Sequence, residues 1–174
     1  MLFGVISLML VTLTIWLAIH FLRMRAPFNR PLLMVGVRYA FLSILAANLS
    51  GIWMILLQDR FTGEAGNLIV LHGIGFHALQ TLIIPAWLLE KSDLNERYKK
   101  RLLHSGSIAW MLMIGVIGIQ TALGRTVFEL TILPILAGLL LLAWAGTALI
   151  AGVFFIKQRR ERALSTDKLP LVRH

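Results

Sequence analysis

Two histidines, His72 and His77, are followed closely by Gln80 and Thr81 within an otherwise apolar run. An imidazole in such a setting can ligate a metal or haem iron, relay a proton, or hydrogen-bond to a neighbouring helix. At about 100° per residue, Gly73, His77, Gln80 and Thr81 share one helical stripe, whereas His72 lies roughly 140° from His77. The two rings therefore do not form an i, i+4 metal clip on one helix. For a haem held by His77, Met111 and Met113 on a later apolar run offer thioether ligands at the same height, and Met54 matches His72 in the same way. Methionine is also ordinary packing material. The structural alternative for His77 is a hydrogen bond to Gln80, Asn48 or Gln120 that holds helices together. Arg38 also has two readings: its side chain snorkels to lipid head groups, or it turns inward to meet Glu90 or a bound anion.

The segment His72-Gly73-Ile74-Gly75-Phe76-His77-Ala78-Leu79-Gln80 resembles an H-x4-H-A-L-Q segment in a family of uncharacterised bacterial multi-span membrane proteins. The likeness covers only the residues around this run. It implies a bacterial membrane protein and draws attention to His72, His77 and Gln80, but it supplies no role for them.

These side chains need rods to position them, and five apolar runs are long enough. About 20 apolar residues carry a helix across a hydrocarbon core about 30 Å thick. The expected spans are Leu2 to Leu22, Pro31 to Gln58, Asn67 to Leu89, Leu102 to Leu123, and Leu130 to Ile156. The fold class expected is all-α, a polytopic transmembrane helix bundle. The first run lacks the basic start and small-residue cleavage site of a signal peptide, so it counts as a span. Pro27, Pro31, Gly63 and Gly66 fall in the connections, while Pro85 and Pro134 lie within runs as candidate kinks. Small residues recur at helical spacing: Ser43, Ala47 and Gly51; Gly118 and Ala122; Ala148 and Gly152. Close helix approach explains them.

Of the 174 residues 58% are hydrophobic and 14% charged, with 17 Lys and Arg against 8 Asp and Glu. The cations do not form a stripe suited to nucleic acid; they fall in blocks between the apolar runs. Arg23, Arg25 and Arg30 follow the first run, Lys91 to Arg101 the third, and Lys157 to Arg173 the fifth, whereas the alternate loops hold Arg60 and Arg125. By the positive-inside rule the N-terminus is outside and the C-terminus cytoplasmic, in a multi-pass protein of the cell membrane. The expected organisation is a transmembrane domain over 1–158 and a disordered basic tail over 159–174 that contacts anionic lipid.

Cysteine is absent, which removes thiolate chemistry and Cys-ligated metals. No HExxH, serine elbow or phosphate loop occurs, and no carboxylate lies within a run, since Glu90 and Glu129 stand at ends. Three function classes remain. The first binds haem or a metal in the bundle through the third-span histidines. The second is a non-catalytic membrane subunit or lipid-binding accessory protein, alone or as a homo-oligomer. The third is a small transporter or proton-relay protein. The sites expected are His72, His77, Gln80, Met111 and Met113 for a cofactor, and Arg38 for an anion or lipid head group.

Overall fold

A computed structural model of the chain describes residues 2–167. Six α-helices and one small hairpin follow in order: α1 (Leu2–Arg23), α2 (Pro31–Leu57), β1 (Phe61–Thr62), β2 (Gly66–Asn67), α3 (Leu68–Phe76), α4 (Ala78–Lys91), α5 (Glu96–Ala122) and α6 (Ile132–Asp167). With α3 and α4 taken as one rod, five helices are long and apolar enough to cross a membrane.

The boundaries have local causes. Pro31 opens α2 at a position where its missing N–H would have been unsatisfied anyway. Asn67 caps α3 by accepting from the Ile69 N–H at 2.9 Å, and Asn95 caps α5 by accepting from the Arg97 N–H at 2.9 Å. The hairpin pairs Phe61 with Asn67 and Thr62 with Gly66, and Gly63 takes the left-handed conformation the turn requires (φ +57°). The third expected span is interrupted at His77, after Gly73 and Gly75, although the His77 N–H still donates to the Gly73 carbonyl at 3.2 Å. Pro85 deprives the Thr81 carbonyl of its helical partner, and Trp144 Nε1 of α6 donates to that oxygen instead, at 3.1 Å. Pro134 lies in the first turn of α6, where it breaks no helical hydrogen bond.

The last helix runs past the expected end of the fifth span to Asp167, so 159–167 are helical, while 168–174 lie outside the described residues. Asp93 ties this extension down, accepting from Gln158 and, at 3.2 Å, from Arg162. At 1.5 Å per residue the 36 residues of α6 reach about 54 Å.

The centre of the bundle is α2, which packs against α1, α3, α4 and α5. Its approach to α4 depends on Gly36: a Cβ there would stand 2.7 Å from the Ala86 Cβ and 2.9 Å from the Leu82 carbonyl. The Ser43, Ala47, Gly51 stripe faces α3. Ser43 Oγ donates to the Gly75 carbonyl at 3.0 Å, and a Cβ on Gly75 would stand 2.7 Å from the Ala47 Cβ. Helix termini at the basic end are closed by side chains of other helices. Glu90 Oε2 accepts from the Leu33 N–H at 2.9 Å, satisfying the first turn of α2. Arg38 donates through Nε to the Phe21 carbonyl at 3.3 Å and through its terminal nitrogen to Met24, closing the C-terminus of α1.

Candidate functional site

Among the sequence-selected residues, His72 occupies the most developed site. Its Nδ1 lies 2.9 Å from the Ala47 carbonyl oxygen. A carbonyl only accepts, so Nδ1 carries a proton, and in the neutral tautomer this leaves the lone pair on Nε2. Gly51 gives the ring room, since a Cβ there would stand 3.1 Å from His72 Cε1. Phe76, one turn along, meets the ring edge to face with centroids 4.8 Å apart. Carbonyl and phenyl ring together fix the imidazole before any ligand arrives.

The ring forms part of the wall of a half-open cavity of about 440 Å³ between α1, α2 and α3, which also includes Ser7, Thr14, Asn48, Gly51 and Met54. Asn48 donates from Nδ2 to Thr14 Oγ1 at 2.7 Å, and Thr14 passes its own proton to the Leu10 and Val11 carbonyls. That chain sets the amide orientation and leaves Asn48 Oδ1 as an acceptor. Neither Asn48 Oδ1 nor His72 Nε2 has a protein partner among the described residues, and neither is sealed beneath other atoms. Asn48, which is only 2% exposed, and the half-buried His72 both border the cavity, whose wall is mostly apolar and includes no charged side chain. A wall of this kind can accept hydrogen bonds but has no charge with which to pair an ion.

The other expected residues are elsewhere. His77 and Gln80 are exposed, and the contacts of His77 run through its backbone: its carbonyl accepts from the Gln80 N–H, the Thr81 N–H and Thr81 Oγ1. The partners expected for His77 are otherwise engaged. Asn48 holds Thr14, while Gln120 Nε2 donates to the Thr126 carbonyl at 3.0 Å and to Glu129 Oε2 at 3.2 Å. Met113 is buried in the core and Met111 packs at its edge. Met113 also borders a second, mostly apolar cavity of about 300 Å³ between α3, α5 and α6, whose wall includes Gln120 and does not include His77. Met54 does share a cavity with His72, as their heights in the sequence suggest. Arg38 is occupied by the α1 carbonyls, its guanidinium also 5.3 Å from the centroid of Phe28, and Glu90 is turned to Leu33. Among the described residues no group of three or more His, Asp or Glu side chains is placed to hold a metal ion.

Thr14 and Ser7 are site residues that the sequence does not mark. Thr14 bonds to its own helix as most hydroxyls in apolar helices do, so nothing in its neighbourhood distinguishes it. No family model matches this chain, and neither curated proteins nor solved structures match it.

Proposed function

We propose that this is a five-span membrane protein, N-terminus outside and basic end cytoplasmic, that holds a neutral amphipathic small molecule in the crevice between α1, α2 and α3. The carrying observation is the 2.9 Å contact of His72 Nδ1 with the Ala47 carbonyl in the wall of the crevice, which in the neutral tautomer leaves Nε2 as an acceptor. An O–H or N–H of the ligand donates to Nε2, a second donor reaches Asn48 Oδ1, and the apolar body lies along the aliphatic walls. The orientation is supported by the cation blocks that follow the first, third and fifth spans. Lipid-soluble alcohols, phenols and hydroquinones have the required chemistry.

A second reading is favoured by one feature: a histidine that donates one ring N–H to a carbonyl is arranged as metal-ligating histidines are. With Met54 bordering the same cavity, the His72 imidazole and a thioether are the side chains that would hold a haem iron, and the haem would supply redox chemistry there. One purification separates the two readings. Wild-type protein in mild detergent is expected to be colourless and to release a hydroxyl-bearing organic molecule on solvent extraction, seen by mass spectrometry. The His72→Leu variant should retain at least tenfold less of it. A Soret band that is lost in His72→Leu would establish the haem reading, and a clean extract with no Soret band would sink both.

A further inference from the structure

His77 and Gln80 present the opposite arrangement to His72: polar groups turned away from the bundle. In the span Leu68–Lys91 they are the tenth and thirteenth of 24 residues, which places them at the bilayer centre in the membrane-spanning reading proposed above. Both are exposed, and neither the imidazole nor the amide has a hydrogen-bond partner among the described residues. The exposed hydroxyls of Thr12 and Ser105 hide their protons on their own backbone, at the Leu8 and Leu102 carbonyls. His77 and Gln80 do not. In hydrocarbon an unpaired imidazole or primary amide is strongly disfavoured, and because the His77 and Gln80 side chains are not bonded to each other here, both are left to a partner from outside the protomer.

The surrounding surface has the spacing of a helix–helix seam. Residues 77, 80, 84, 87 and 91 are all exposed, at alternating steps of three and four, while Ala78, Leu82, Pro85, Ala86 and Leu89 are buried against the bundle. The seam continues upward to Gly73, where a Cβ would meet nothing within 4 Å, so a second helix can approach closely.

We propose that this face pairs with the same face of a second copy of the chain, about a two-fold axis along the membrane normal. The self-complementary chemistry of the two side chains selects that occupant. Neutral imidazole and primary amide each donate and accept, so a two-fold contact lets His77 of each copy pair with Gln80 of the other and satisfies four polar groups at once.

The chain has no cysteine, so Gln80→Cys introduces a single thiol. Oxidation in native membranes is expected to give a disulfide-linked dimer, because residues near the axis fall within the Cα separation of about 4.4–6.8 Å that a disulfide spans. Met9→Cys on α1 and Leu142→Cys on α6, also exposed, should remain monomeric. The double variant His77→Leu/Gln80→Leu, whose side chains support nothing inside the protomer, should fold and dimerise at least tenfold more weakly by light scattering in mild detergent. The proposal is overturned if Gln80→Cys gives no dimer, if it cross-links to a product of another mass, if the α1 or α6 thiols link instead, or if the double variant dimerises undiminished. An alkaline wash of the membranes tests the membrane reading separately: protein released by the wash would defeat that reading before any statement about pairing.

Discussion

The two halves of α2 use their polar groups in opposite ways. In the first half, near the basic end, every polar contact is internal: Leu33 N–H meets Glu90, Arg38 closes α1, and Gly36 lets α4 come to backbone distance. In the second half, Asn48 and Gly51 border a cavity, and the free acceptors Asn48 Oδ1 and His72 Nε2 have no protein partner among the described residues. Satisfied polar groups close a helix interface, and unsatisfied ones beside a cavity leave it open to a ligand. The presence of polar residues in an apolar helix is therefore less informative than which of their lone pairs remain.

The largest effect expected from this contrast is at Gly36. Gly36→Val forces side-chain carbons against the Ala86 Cβ and the Leu82 backbone, and should cost about 3 kcal/mol in thermal unfolding in detergent. Gly51→Ala meets only the edge of the His72 ring and should cost about 1 kcal/mol or less. Equal losses at the two glycines would remove the distinction between a closed and an open half.

Arg38 comes next. Arg38→Leu abandons the final carbonyls of α1 and should destabilise by about 2 kcal/mol, with α1 more readily cleaved by added protease. Arg38→Lys keeps a donor but loses the fork and should cost about 1 kcal/mol. If the lysine variant behaves as wild type, the guanidinium contact adds nothing that an ammonium near the head groups does not.

The smallest stability effect belongs to the open half. Asn48→Leu removes the contact to Thr14, yet Thr14 keeps its carbonyl acceptors, so the change should fall within about 1 kcal/mol. The same variant should retain several-fold less of the extracted ligand. A large stability loss without any loss of ligand would make Asn48 a structural group like those of the first half.

The rods were legible in the sequence because hydropathy, Pro31 and the glycine-bearing loop mark most of the helix ends, although α5 starts at Glu96, ahead of the expected Leu102, where Asn95 caps a charged first turn that hydropathy does not register. The facing of those rods was not. The helices that carry His72 and Asn48 are apolar nearly all round, so no polar stripe reveals which side meets a neighbour. His72 and His77 stand about 140° apart on a regular helix, and the sequence cannot say which of the two turns inward. The structure turns His72 to the Ala47 carbonyl and leaves His77 exposed. Small residues gave better guidance in one case of three: the Ser43, Ala47, Gly51 stripe marks a close approach, and α3 lies against it, whereas a Cβ on Gly118 would meet only Leu71 at 3.8 Å and one on Gly152 nothing within 4 Å. The basic segment from Arg159 reads as a polar tail, but 159–167 continue α6, and Asp93, distant in sequence, contacts that extension through Gln158 and Arg162.

The α1–α2–α3 cavity is half-open at the flank of the bundle, with α1 as a wall that packs mainly on α2. In a bilayer such an opening faces acyl chains, so a ligand would arrive by lateral diffusion. Occupancy would then follow the mole fraction of the ligand in the leaflet. Two molecules of equal intrinsic affinity but different partitioning would fill the site to different extents at the same total dose. Diluting the bilayer with inert lipid would empty the site, while diluting the buffer around intact vesicles would barely change its occupancy.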